Sequence, residues 1–222
     1  MHACSFSYGH NFYAFDVNRN MKQTPTKKQA QAPLKKTGNA QPLSTPMESP
    51  TGLLELFTDG IKDMYWAEIH LVKSIPKMVS AASDNGSKNT LAQHLEITIE
   101  HVARLENIFE ILGEKIVAKK CDACEGLVMS GEHVIENTVA GTEARNTGII
   151  MSALKVENFE ITAYKGLIQL ANTLGLADAA SILEENLAEE LEADTILNEL
   201  STNENADALG GNKTKSFSKK PL

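Results

Sequence analysis

Cysteine is scarce in this 222-residue chain: there are three. That excludes a disulfide framework and fits a reducing compartment, so a cytoplasmic location is expected. Aromatic residues make up 5% and there is one tryptophan. Nothing approaches an apolar run of about 18 residues, which excludes a segment that spans a membrane as a helix. β-branched and aromatic residues never alternate over a strand-length window, so no sheet is expected. No Gly-rich phosphate loop, serine-nucleophile motif or His-Glu-x-x-His signature occurs. Proline is nearly absent after residue 50, because five of the seven lie at positions 25, 33, 42, 46 and 50.

What is present is acidity, placed unevenly. Formal net charge is −8. The first 50 residues hold six Lys or Arg against two Asp or Glu, and residues 203–222 hold four Lys against two acids. The central body therefore carries more than the whole negative excess, and an acidic body argues against non-specific nucleic-acid binding. Residues 22–50 are rich in Lys, Gln, Pro and Thr and cannot bury enough surface to offset their ordering entropy. The expectation is a disordered basic arm over 1–50, a helical body over 51–202 and a disordered tail over 203–222. Phe6, Tyr8, Phe12, Tyr13 and Phe15 crowd together without periodic order. They form no apolar core of signal-peptide length after a basic start. Met21 opens a typical polar tail, and an alternative translation start there is one expectation. A transit peptide is the rival reading, opposed by the shortage of Arg and Ser.

Within the body the spacing predicts helices over about 51–83, 88–112, 122–138, 142–173 and 177–201. Pro76 should bend the first, and Asp84-Asn85-Gly86-Ser87 should form a turn. Four long helices and a short one predict an all-α, antiparallel four-helix bundle. The long link between the second and third long helices implies a crossover, as in ferritin-like bundles, and it carries the short extra helix.

Stripe residues recur at steps of three and four. The first helix reads Leu54, Phe57, Ile61, Tyr65, Glu68, Val72, Ile75. The second reads Leu91, Leu95, Thr98, Val102, Leu105, with His94 and His101 flanking Thr98, while Glu96 and Glu100 point to solvent. The third long helix reads Ile150, Ala153, Glu157, Ile161, Tyr164, Ile168, Ala171, with Glu160 on the flank. The fourth reads Leu183, Leu187, Glu190, Asp194, Leu197. Each polar position is near its helix centre, and antiparallel helices of similar length bring their centres to one level. Up to five carboxylates and two imidazoles then meet inside. Buried carboxylates cost several kcal/mol each or become neutral. A bound transition metal, with Glu68, His94, His101, Glu157, Glu160, Glu190 and Asp194 as candidate ligands, relieves this, and iron, manganese or zinc suits such donors. The bland alternative is that boundary glutamates of an acidic bundle reach water. Lys73, Lys155 and Arg104 could pair with some acids, but none lies mid-stripe.

The stretches LFTDGIKDMYWAE (56–68), HLEITIEHVARLE (94–106), AKKCDACEGL (118–127), KVENFEITAY (155–164) and ILEENLAEELEAD (182–194) occur in this order. With them, residues of about 52–202 resemble the YciF-like stress proteins of the ferritin superfamily. The resemblance implies a ferritin-like bundle, often dimeric, a di-iron or di-manganese site and a link to stress response. It carries Glu68 and Glu157 over as the single glutamates of the first and third long helices. The other two helices should each offer Glu-x-x-His. Here the second has Thr98-x-x-His101 with His94 a turn earlier, and the fourth has Glu190-x-x-Ala193 with Asp194 next door. Glu160 could supply a missing carboxylate, and one ion, or two weakly held, is the expectation.

Cys121 and Cys124 form a lone C-x-x-C without the second pair that a zinc site wants. They are expected as half-buried structural residues whose helix N-terminus lowers a thiol pKa. His70 and His133 should lie at the surface, and Trp66 off the stripe could mark a subunit contact. Tyr65 and Tyr164 either pack or hydrogen-bond a carboxylate. The leading expectation is a soluble homodimer binding iron or manganese, oxidising ferrous iron or disposing of peroxide. The competing class is a non-enzymatic stress or interaction protein.

Overall fold

The computed structural model describes residues 50–208, and the side chains of 52–202. The expected basic arm, apart from Pro50, and the tail beyond Ala208 lie outside the described residues. Five helices follow in order: α1 Pro50–Ala81, α2 Asn85–Leu112, α3 Asp122–Asn137, α4 Glu143–Leu174 and α5 Ala177–Ala208. The all-α expectation holds among the described residues, and none of these helices is long and apolar enough to cross a membrane.

Boundaries follow from capping chemistry. Asp84 adopts an extended N-cap conformation and accepts from the Ser87 amide at 2.7 Å, so Asn85 to Ser87 already form the first turn of α2. The segment expected as a free turn is thus a cap plus helix, because the Asp84 side chain satisfies an amide that the first turn leaves without a partner. Thr142 caps α4 through the Arg145 amide at 3.3 Å. Gly113 and Gly175 end α2 and α4 at φ 66° and 73°, backbone that favours glycine. α1 continues through Pro76 to Ala81. Pro76 is exposed, so water can serve the carbonyl that its ring leaves unpaired. α5 runs to Ala208, past the expected end near 201.

Two apolar clusters fix the topology. One joins Phe57 and Ile61 of α1, Leu105 and Phe109 of α2, Leu167 of α4 and Leu183 of α5. The other joins Leu71 and Ile75 of α1, Leu91 of α2, Ile150 of α4, Leu197 of α5 and Cys124 and Val128 of α3. Hence α1 and α5 run from the first cluster to the second, and α2 and α4 run back. Since α2 and α4 point the same way, the link between them must travel the bundle's length, and α3 lies in that crossover. α1 packs on α2 and α4, α5 packs on α4 and α2, and α3 packs on α4 and α1. This is the expected ferritin-like arrangement.

The crossover is held closely. A Cβ at Gly148 of α4 would collide with Val134 of α3, and one at Gly131 would sit 2.8 Å from Met78. Arg145 donates to the carbonyls of Ile135 and Thr138, so α4 caps the end of α3. Lys119 Nζ sits 3.4 Å from Asp63 and 3.5 Å from Asp59, tying the link to α1.

The buried seam of each long helix follows a strict alternation of steps of four and three. In α1 it is Phe57, Ile61, Met64, Glu68, Leu71, Ile75, Met78; in α2 it is Ser87, Leu91, His94, Thr98, His101, Leu105, Ile108. In α4 it is Asn146, Ile150, Ala153, Glu157, Glu160, Tyr164, Leu167, Ala171; in α5 it is Ala179, Leu183, Asn186, Glu190, Ala193, Leu197. This is the seven-residue repeat of a left-handed bundle. It corrects the stripes read from sequence: Leu54 is exposed at 41%, and Val72, Leu95, Ile168 and Leu187 are half-buried.

A candidate dinuclear metal centre

The seam turns polar midway between the apolar clusters. Glu68, His101, Glu160 and Glu190 are fully buried, Glu157 is 1% exposed and His94 7%. Glu96 and Glu100 face solvent, as their phase predicts. Two donor groups form. Glu68, His101 and Glu190 each bring a ligand atom within 4.8 Å of the others, and so do His94, Glu157, Glu160 and Glu190. Glu190 belongs to both.

Asp194 does not join them. The α5 seam steps from Glu190 to Ala193 to Leu197, which puts Asp194 on the flank, half-exposed, accepting from Asn158 at 3.2 Å. Its charge still reaches Glu157 and helps to raise that carboxyl.

The His101 ring sits at the junction. Its Nε2 is 2.8 Å from Glu189 Oε2, and its Nδ1 is 2.9 Å from Glu190 Oε1 and 3.5 Å from Glu68 Oε1. The two Nδ1 approaches are close contacts without hydrogen-bond alignment. Glu189 is held ionised: its hydrogen bond with Arg104 outweighs burial and keeps its carboxyl below the usual range. An ionised Glu189 accepts the Nε2 proton, so a neutral His101 turns an Nδ1 lone pair toward Glu68 and Glu190, the carboxylate–histidine pairing that sets up a metal ligand.

Tyr164 donates to Glu68 Oε1 and accepts from Asn186 at 3.1 Å. Of the two roles open to it in sequence, the hydrogen-bonded one is observed, while Tyr65 donates to Glu106 at 2.7 Å instead. His94 Nε2 is 3.2 Å from Glu157 Oε1.

Electrostatically the layer is under strain. Among the described residues, Glu68 Oε2, His94 Nδ1, His101 Nδ1, Glu157 Oε2 and both oxygens of Glu160 and Glu190 lack an aligned hydrogen-bond partner. Burial, then the charge of Glu190, pushes the carboxyls of Glu157 and Glu160 well above the usual range. Burial also lowers His94, against the charges of Glu190 and Glu68. His101 goes the other way: burial would lower it, but Glu68 and Glu190 push it up to about 10. Buried lone pairs that converge without an aligned donor among the described residues fit a cation.

The inventory is four carboxylates and two imidazoles. A di-metal carboxylate bundle places one Glu on each of two helices and a Glu-x-x-His pair on the other two, the same total. Here α1 gives Glu68, α2 gives His94 and His101, α4 gives Glu157 and Glu160, and α5 gives Glu190. The pairs missing from α2 and α5 are made up by a second histidine on α2 and a second glutamate on α4.

A family model described as a domain of unknown function (DUF892) matches residues 52–209. The chain belongs to that family. Protein YciF of Escherichia coli strain K12 is 35% identical over 150 residues, covering 67% of this chain and 90% of that protein. The crystal structure of this stress protein superposes with TM-score 0.66, over 68% of this chain and 96% of YciF. YcfI from Rhodopseudomonas palustris is 33% identical at TM-score 0.64, over 70% of this chain and 97% of the other. The likeness to YciF-like proteins read from five sequence stretches is thus confirmed.

Three residues of this DUF892 chain around the centre escaped sequence reasoning as parts of it. Arg104 forms a fork on Glu189, from Nη1 at 2.5 Å and Nη2 at 3.0 Å, and also donates to Asn186 at 3.0 Å. Asn186 could have been found from its seam position four residues before Glu190. Glu189 carries no signal in an acidic helix. The C-x-x-C reading needs one correction: Cys124 is fully buried, and burial, Cys121 and Glu68 push its thiol up to about 12, against the lowering expected at a helix start. His133 is exposed and His70 half-buried, stacked on Trp66 at 4.6 Å.

Proposed function

We propose that this protein is a stress-associated di-metal carboxylate protein, with iron or manganese held by Glu68, His94, His101, Glu157, Glu160 and Glu190. The observation that carries the reading is the set of buried donor atoms with no aligned partner at mid-bundle. When bound, iron or manganese supplies a redox couple and open coordination positions. The chain's own side chains do the rest. Apolar clusters above and below keep bulk water out. Glu189 fixes the His101 tautomer, and Tyr164 holds Glu68 and can pass a proton to or from its Oε1. The reactions that fit are oxidation of ferrous iron and disposal of peroxide. The stress role comes from the likeness to YciF. The same reading has the protein act as a cytoplasmic homodimer, checked by cell fractionation and sedimentation.

The test is metal analysis of freshly isolated protein, then anaerobic ferrous loading and exposure to air or peroxide. Uptake of about two ions per chain and a ferric-oxo absorption band, both lost in a Glu68→Ala/Glu157→Ala double variant, support the reading. No metal above background sinks it.

The competing reading is a metal-free structural or interaction protein. It draws on YcfI, named provisionally as a structural protein, and on the raised pKa of His101, whose imidazolium would face Glu68 and Glu190. On that reading Glu68→Ala/Glu157→Ala changes stability alone and no ion is taken up.

A further inference from the structure

The two donor groups are built differently, and the difference predicts unequal ions. Around Glu68 and His101 the side chains form two hydrogen-bonded arms that start from Arg104. Arg104 grips both oxygens of Glu189, and Glu189 holds His101 Nε2 at 2.8 Å. In the other direction Arg104 holds Asn186 at 3.0 Å, Asn186 holds the Tyr164 hydroxyl at 3.1 Å, and that hydroxyl donates to Glu68. One guanidinium, about a quarter exposed at the bundle surface, thereby positions two donors through two arms. Its planar fork suits this, since one arm needs a two-oxygen grip and the other a single acceptor.

Among the described residues no such arm from a cation reaches His94, Glu157 or Glu160, and His94 Nε2 meets Glu157 Oε1 at 3.2 Å. Both Glu160 oxygens, Glu157 Oε2 and His94 Nδ1 have no aligned partner among the described residues. The one hydroxyl nearby on the α2 seam, Thr98, is spent on the His94 carbonyl at 2.8 Å. Beside His94 and Glu157 lies a cavity of about 20 Å³ walled by Leu71, Met78 and Leu91, room for about one water-sized molecule.

We propose that Arg104 is a positioning residue that makes the Glu68–His101–Glu190 position a tight site, and that the His94–Glu157–Glu160 position, which shares Glu190, is a weak, exchangeable one. Prearranged ligands lose less freedom on binding, and loss of such outer partners costs about 10- to 100-fold in metal affinity. The inference rests on the metal-binding reading above and adds an order of loading to it.

The experiment is calorimetric titration of the chelator-stripped full chain with manganous ion, with electron paramagnetic resonance counting free and bound ion. Two steps should appear, the second at least about ten times weaker, with the coupled signal of a metal pair only after the second. Arg104→Gln should weaken the first step about 10- to 100-fold with the metal-free melting temperature and circular dichroism little changed. Arg104→Lys should recover part of the loss through Glu189. His94→Ala should remove the second step and spare the first. If Arg104→Gln fails to fold, Glu189→Gln reads the same arm. Two equal steps in the parent protein, an unchanged first step in Arg104→Gln, or equal loss of both steps there would overturn the inference while leaving metal binding intact. No manganese bound to the parent overturns both.

Discussion

Glu160 concentrates the conflict between folding and function. It is fully buried, neither oxygen has an aligned partner among the described residues, and burial and Glu190 hold its carboxyl well above the usual range. Such a group lowers stability unless an ion meets it. Glu160→Met should therefore stabilise the metal-free protein by about 1–3 kcal/mol, raising its melting temperature about 2–4 °C per kcal/mol, and should lower metal stoichiometry. Scanning calorimetry of stripped samples checks this; a loss of stability would show that Glu160 supports the fold by itself. The sequence places Glu160 only on the flank of its stripe, because the apolar spacing runs through Ile161 beside it. Glu68, Glu157 and Glu190 were legible as inward charges at matching depth. Arg104 was legible as a pairing candidate, but its double grip was not, since Glu189 and Asn186 meet it only across the α2–α5 interface.

Helix phase was where reading and structure parted. Apolar spacing runs the stripes through Val72, Leu95 and Leu187 and carries Asp194 along with them, whereas the bundle buries Leu71, His94, Asn186 and Ala193. A supercoiled bundle holds a repeat of 3.5 residues instead of 3.6, and its seam keeps that phase across a polar layer that apolar scoring cannot follow. α3 was legible as a short helix, but not how tightly it lies on α4. Gly148 faces Val134 with no room for a Cβ. Gly148→Ala should destabilise by about 1–3 kcal/mol through overpacking, and Val134→Ala in the same chain should restore a good part of that loss. Urea unfolding of the two single variants and the double variant measures it; additive losses would mean that the contact relaxes without cost.

The bundle as a unit behaves as two apolar blocks around a charged layer. Because the blocks span all four long helices, chelation should leave far-ultraviolet circular dichroism unchanged while lowering the melting temperature. An ion at about 100 times its dissociation constant adds about 2.7 kcal/mol. The pH dependence should separate the two forms. Without metal, native His101 holds a proton that the unfolded chain releases, as its pKa is pushed up to about 10, and the raised carboxyls of Glu157 and Glu160 act in the same direction. Between pH 7 and 9 the native state then binds more protons, so stability falls as pH rises. His94, with its pKa lowered, works the opposite way, but mainly below pH 7. With manganese the ligands are already deprotonated, and the loaded protein should lose less stability over that range. Melting curves at pH 7, 8 and 9 with and without manganous ion test this; parallel slopes would argue against ion binding in the layer.

The amino-acid order by itself determined the helical class, the crossover and the presence of charged groups on faces that should be apolar, because periodicity and link length are local properties. Only the tertiary structure decided which donors share a point. It moved His94, His101 and Glu160 onto the seam, left Asp194 on the flank and joined Arg104 to two ligands. Those outcomes depend on the relative rotation of four helices, set by packing between segments far apart in the chain, and a shift of one residue moves a side chain by about 100° around the helix axis.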